Sequence, residues 1–314
     1  MKKATFFLLV VLMLTSSSCA KADTLVKSKF VFNSVRTVED INNRLKTEDS
    51  LYLFKNGRIS FLGKGMRAPA FSPGGKTIAC TSSKAIVLID EQGTQKERVQ
   101  FDLYPGHVEW SPDGKKLLYC IPSVPGSIRL ALEEYNLLTK KRRLVKDDDD
   151  ISTSFYKYSP SGEKIMFVAT HLDTDQSLRQ EGVYIYDLKS ELLSKVRHYG
   201  VSLMWFPDSK HIAYFTNTNE EGNQINDKFG AIFKMNTDTG KVTKLRDLNM
   251  IPFEGIKLSK DGKYFYLGKS DNKGGKVIVL WPVDDPTKEI PVTESVKVGI
   301  GYSQDYNPDW WQGE

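Results

Sequence analysis

Cysteine is scarce in this chain, at three among 314 residues. Three thiols exclude a disulfide-built scaffold. Histidine is nearly as scarce, with His107, His171, His198 and His211 spread along the chain. No H-E-x-x-H, G-x-S-x-G or paired-cysteine ligand motif occurs, so the common metallopeptidase and hydrolase signatures are missing. Long apolar runs are also missing. The one run, residues 6–14, is too short for a hydrocarbon core that needs roughly 20 residues. With a mean hydropathy of -0.38, a polytopic membrane protein is excluded. No charge sign dominates, because 44 basic and 39 acidic residues are interspersed for a net +5. Nucleic acid is therefore not an expected partner. At 40% apolar and 26% charged, the chain is not of the disordered class.

What is there begins with an address. Lys2 and Lys3 precede the apolar run 6–14, which has the length of a secretory signal. Ser16-Ser17-Ser18-Cys19 resembles a lipobox, in which cleavage precedes a cysteine that carries lipid. It departs from the usual pattern, because Ser16 stands where Leu is typical. Ala20-Lys21-Ala22 offers ordinary cleavage after residue 22 instead. We expect a lipoprotein signal over 1–19, lipidated at Cys19, with membrane contact only through that anchor. The product would be a membrane-anchored lipoprotein, or else periplasmic or extracellular. Removing 1–19 takes away two lysines and leaves a net +3.

Internal repeats then set the fold. A block recurs in which a bulky residue precedes S-P-D-G-K or a variant, followed by a β-rich run. It starts at Phe71, Trp110, Tyr158, Trp205 and Leu258, with a degenerate YSQD copy at Tyr302. Pro sets φ for a turn, Asp caps its own backbone, and Gly supplies a positive φ. Each block therefore reads as a tight turn between two strands. The residues after it are apolar on both faces, so each strand is covered on both sides. Trp110, Tyr158 and Trp205 recur in phase and are core. Cys80 aligns with Tyr119 rather than Cys120, so the two remaining thiols are expected buried, free and on opposite faces.

A second hairpin follows each block, beginning at Ala85, Ile128, Val183, Ala231 and Lys276. An orphan hairpin at Leu51 carries Asn56-Gly57, a strong hairpin signal. It lacks a preceding block, and YSQD lacks a following hairpin. The spacing predicts an all-β, six-bladed β-propeller of four-stranded antiparallel blades over 51–314. Both chain termini are expected to close its last blade. Residues 20–50 read as a tether and a short N-terminal segment. Within it, 29–35 could be a strand, and Val38, Ile41 and Leu45 suggest a short amphipathic helix. Trp310 and Trp311 fall out of phase and either seal the closing blade or form a contact patch.

These blocks and hairpins resemble the WD-like repeats of the TolB-type six-bladed propeller family. The resemblance covers residues 51–303. It implies a fold and an export habit, and no single function. Family members include translocation-associated binding proteins, polysaccharide lyases and gating domains of serine peptidases.

Function is expected on the face with longer loops, including 101–107, 146–154, 171–181 and 217–228. Asp147, Asp148, Asp149 and Asp150 could together hold Ca²⁺. The competing reading is a solvated acidic loop beside the basic run 140–143, and we take it. Asp173 and Asp175 read the same way, with His171 beside them. No cofactor is expected. His107 and Glu109 flank a central strand, and Lys157 and Lys257 occupy the place equivalent to Glu109. These four could line a channel mouth, or be structural polar groups around a wet pore. The sequence reads as a non-catalytic envelope scaffold for a protein partner or extended ligand. The alternative is a carbohydrate-binding or lyase-like propeller with a glycan ligand.

Overall fold

The computed structural model describes residues 29–311, apart from 40–44, 56–57, 124–129, 147–150, 173–177, 198–200, 218–222, 224–229, 249–255, 271–275, 286 and 292–308. Every element traced is a β-strand, as the repeats require. Sheet II holds β4 (Arg67–Phe71), β5 (Thr77–Ser82), β6 (Ala85–Asp90) and β7 (Gln95–Gln100). Sheet III holds β8 (Val108–Trp110), β9 (Lys116–Pro122), β10 (Leu130–Asn136) and β11 (Arg142–Lys146). Sheet IV holds β12 (Ile151–Tyr158), β13 (Lys164–Leu172), β14 (Leu178–Asp187) and β15 (Leu193–Arg197). Sheet V holds β16 (Val201–Trp205), β17 (His211–Thr216), β18 (Ala231–Asn236) and β19 (Val242–Asp247). Sheet VI holds β20 (Ile256–Leu258), β21 (Tyr264–Ser270), β22 (Lys276–Pro282) and β23 (Ile290–Pro291). Each of these five sheets uses consecutive antiparallel strands. A further sheet, I, has the order β24 (Asp309–Trp311), β1 (Lys29–Glu39), β2 (Leu45–Lys55), β3 (Arg58–Lys64). The architecture is an all-β propeller of four-stranded antiparallel sheets.

Alternation within each strand builds the core. Cys80 and Val87 of sheet II pack on Val31 and Leu51 of sheet I. Ala79 and Ile86, on the other face of the same strands, pack on Leu117 and Tyr119 of sheet III. The same handover joins III to IV through Cys120 and Phe167, IV to V through Met166 and Tyr214, and V to VI through Ala213 and Trp281. Strands covered on both faces are apolar at every position, which the runs after each turn announced. Both thiols are free and buried, on opposite-facing clusters as expected.

The turn blocks behave as their residues dictate. In the Ser111 block, the serine N–H donates to Lys116 O at 2.9 Å, and Gly114 N–H to Ser111 O at 2.9 Å. Lys116 N–H donates to Ser111 Oγ at 2.8 Å, and Ser111 Oγ–H donates to Asp113 at 2.6 Å. The amides and carbonyls of Ser111 and Lys116, where the two strands meet the turn, are thereby paired. In the fourth block Ser209 stands where the others have Gly, at φ 56°. The aromatic residues link neighbouring sheets. Trp110 Nε1–H donates to Ala70 O at 3.0 Å, and Trp205 Nε1–H to Lys157 O at 3.4 Å.

Two expectations at the N-terminal side are corrected. The sheet begins at Lys29 rather than Leu51, so residues 29–50 are not a tether. No short helix forms around Val38 and Leu45; Val38 pairs with Lys46 and Leu45 with Glu39 in a long antiparallel ribbon. The run KFVFNSVRTV is rich in β-branched and aromatic residues, and pairing outweighs its weak helical period. Ile41 lies outside the described residues.

Candidate functional site

Strand direction gives the propeller two unlike faces. Connections between the first and second strands of sheets II–VI are all five residues long: 72–76, 111–115, 159–163, 206–210 and 259–263. Turns between third and fourth strands share this face and bond to them, as in Leu137 N–H to Lys115 O and Thr237 N–H to Lys210 O. On the opposite face the connections vary in length. Those joining second to third strands are 83–84, 123–129, 173–177, 217–230 and 271–275. Loops that vary on a constant scaffold are where proteins of many folds place binding residues.

The innermost strands place the expected polar residues. Glu109, Lys157 and Lys257 pair across their sheets with Leu118, Met166 and Tyr266, the third residue of the neighbouring strand in each case. Their equivalence read from sequence is therefore real. Glu109 and Lys157 meet each other between sheets III and IV, at 3.1 Å, both partly exposed. That contact makes them an inter-sheet ion pair at the inner edge. Lys257 is half-buried at the matching place in sheet VI.

His107 precedes β8, and its ring stacks on Tyr156 with centroids 4.1 Å apart and planes 9° apart. The Tyr156 hydroxyl donates to His107 O and accepts Cys120 N–H at 2.9 Å. Tyr156 is fully buried. Burial holds the His107 imidazole below its ordinary range, with Glu109 pulling the other way and Lys157 adding to the lowering. Burial also pushes the Tyr156 phenol well up, and the Cys80 thiol up to about 12. Gly106 N–H donates to Cys120 O at 2.9 Å, and a Cβ at Gly106 would sit 2.4 Å from Cys120 Sγ. Only glycine lets the 101–107 connection approach so closely. The arrangement holds a neutral histidine against the scaffold, and His211 is likewise held by Asp208 at 2.7 Å on the turn face.

Backbone bulges shape the inner strands. Ala68, Phe155 and Ser202 each take positive φ, at 45°, 41° and 52°, three residues before the repeat aromatic. The pairing register shifts at these points in β4, β12 and β16. Bulges of this kind re-aim inner-strand residues near functional openings. No glycine marks these positions, so nothing in the residue pattern signals them.

β24 pairs with β1 at the edge of sheet I. Trp310 pairs with Phe30, the second residue of β1, just as Trp110 pairs with Leu117 and Trp205 with Ile212. Trp310 is therefore in phase with the repeat, correcting the reading above. Asp309, paired with Val31, takes the register place of Glu109, Lys157 and Lys257.

Cys19, Asp147, Asp148, Asp149, Asp150, Asp173 and Asp175 lie outside the described residues, as do Tyr302 to Asp305. His171 pairs with Ile151 and Arg179 at the variable end of β13. Among the described residues no three His, Cys, Asp or Glu side chains gather to hold a metal ion.

The fold is that of the TolB-type β-propellers. Superposition on TolB from Acinetobacter baumannii gives a TM-score of 0.59 at 19% identity, covering 90% of this chain and 66% of that one. The chain thus spans just under two thirds of that protein. A putative TolB from Agrobacterium tumefaciens gives 0.54 at 15% identity, covering 84% and 87%. An oligogalacturonate lyase in complex with manganese gives 0.59 at 12% identity, covering 84% and 85%. No family model and no curated protein matches the sequence.

Proposed function

We propose that this protein is an exported, non-catalytic scaffold of the cell envelope, tethered through lipid on Cys19. It binds a protein partner or an extended ligand through its variable face. One observation carries the location of that surface: connections from first to second strands are all five residues long in sheets II to VI, while those from second to third strands, on the other face, range from two residues to fourteen. The likeness to TolB-type propellers supports a partner of protein kind. Support for the non-catalytic reading comes from the two histidines whose side chains are described. His107 stacks in the scaffold, and His211 braces a turn.

We read sheet I as the sixth blade, closed by both ends of the chain. In this reading residues 20–28 are the tether and the propeller runs from Lys29 to the C-terminus. The acidic loops at Asp147 to Asp150 and at Asp173 and Asp175 belong to the variable face.

The test is cross-linking and co-purification from envelope fractions, with Cys19→Ala and a chain shortened within 217–230 alongside the wild type. A specific partner lost on shortening the loop supports the reading. Retention of every partner by that variant rejects the proposed face. The second reading, a glycan-active propeller, rests on the likeness to the oligogalacturonate lyase. Incubation with oligogalacturonate and manganese should give no unsaturated product; its appearance, lost in His107→Ala, would replace the scaffold reading.

A further inference from the structure

We propose that the outer turns of sheets III to V, with the edge strands that follow them, rest on an anionic phospholipid bilayer, on the side of the constant face and with the variable face turned away. Three independent observations converge on it. The first is where the chain enters. β1 starts on the constant face, where Lys29 Nζ donates to Gly75 O at 3.3 Å and pairs with Glu91 on the β6–β7 turn. Only residues 20–28 separate that point from Cys19, a reach of about 30 Å at full extension. This first argument, and only this one, rests on the lipid anchor proposed above.

The second is where apolar side chains are left exposed. Seven large ones are exposed among the described residues, and five belong to the outer turns and strands of sheets III, IV and V. Leu138 is 85% exposed within its turn and Leu192 66% at the end of its own; Leu144, Leu193 and Val242, on the edge strands, accompany them. Phe61 and Tyr104 lie elsewhere.

The third is charge. Residues 137–146, 188–197 and 237–247, the same turns and strands, carry eleven Lys or Arg and three Asp or Glu. Segments 91–100 and 283–291 of the flanking sheets are neutral and acidic by the same count. This arc alone exceeds the net charge of the whole chain. Lys140 is shared with Glu97 at 2.7 Å and Arg143 with Glu191 at 3.7 Å, exposed pairs that bind their partners weakly.

Lysines on edge strands often serve only to block pairing with other sheets. That role does not account for the exposed leucines of these turns. Basic groups interleaved with exposed leucines fit a surface that is anionic outside and apolar beneath, which is the boundary of an acidic bilayer. An acidic protein would match the charge and leave Leu138 and Leu192 without a counterpart.

The experiment uses the mature protein purified from envelopes, its N-terminal mass measured first. Single variants Leu192→Cys and Ser83→Cys carry a polarity-sensitive fluorophore, the native thiols being buried. They are mixed with phosphatidylcholine vesicles containing about one-third phosphatidylglycerol, and with pure phosphatidylcholine. We expect a blue shift at residue 192 on anionic vesicles, and none at residue 83. Lys141→Glu/Lys189→Glu/Lys241→Glu in the labelled chain should lower the partition at least about tenfold, at about 1 kcal/mol per charge near the surface. A lipid-free mature chain that still shifts at residue 192 rejects the anchor and supports the face. A lipidated chain that shows no shift, or shifts at residue 83 instead, overturns the proposal. So does a charge variant that loses an acidic protein while keeping its vesicle partition.

Discussion

Tyr156 joins two connections that sequence periodicity keeps apart. Its hydroxyl serves the carbonyl before β8 and the amide of Cys120 at once. Tyr156→Phe leaves both backbone groups buried without that partner, at a cost of about 1–3 kcal/mol. Thermal melting should fall by about 2–4 °C for each kcal/mol in a chain of this size. His107 makes the same locus sensitive to acid. Burial keeps its folded pKa below the ordinary 6.5. The folded state therefore refuses a proton that the unfolded chain accepts. Its stabilising share is complete above pH 6.5 and drains away as pH falls through the folded value. Melting temperatures of wild type and His107→Gln, compared across that range, should draw together on acidification. A constant difference would show that His107 does not titrate with folding. Sequence placed His107 by its position beside a central strand. It could not show the stacking, because Tyr156 lies in another repeat and its phase carries no polar signal.

At the level of elements, the turn blocks were the most legible part of the chain. Turn formers recurring at fixed places in a five-residue block can serve few other purposes, and five such blocks became five such turns. β24 carried no such mark for a physical reason. The motif marks a turn between first and second strands. In sheet I those strands come from opposite ends of the chain, so no turn exists there and no motif is needed. YSQD resembled the motif, while Trp310 kept the register without it. Helical spacing around Val38 misled in the same region, because long-range pairing of β1 with β2 outweighs local period. The outer turns offer a direct test of local strain. Lys140 and Glu191 hold φ 59° and 58° where sheet V has Gly240 at 70°. Glu191→Gly should stabilise by up to about 1 kcal/mol, since left-handed backbone costs other residues about that much. Glu191→Ala retains the strain and should show no gain. Urea midpoints of the two variants measure the difference.

Taken whole, the molecule is a series of sheets in which II to V each share one cluster with the sheet before and another with the sheet after. Among the described residues sheet I shares a cluster with sheet II alone, so the strand at its inner edge matters most. Deleting residues 309–314 removes β24 and exposes the inner edge of β1. We expect the truncated chain to melt earlier and less cooperatively, and to associate through that edge. Size-exclusion chromatography and calorimetry would read both effects. A monomer with unchanged melting would remove β24 from the account of stability. The variable face is the part that sequence outlined least. Loop lengths were legible, and loop chemistry depends on which side chains converge from separate sheets.

The joining of β1 to β24 also orders events in time. β1 and β24 stand about 270 residues apart in sequence yet lie side by side in one sheet. A contact of such separation has to close a very long loop before it returns any stabilisation. Sheet I is therefore expected to be finished late in folding, after the hairpins of sheets II to V have formed from neighbouring residues.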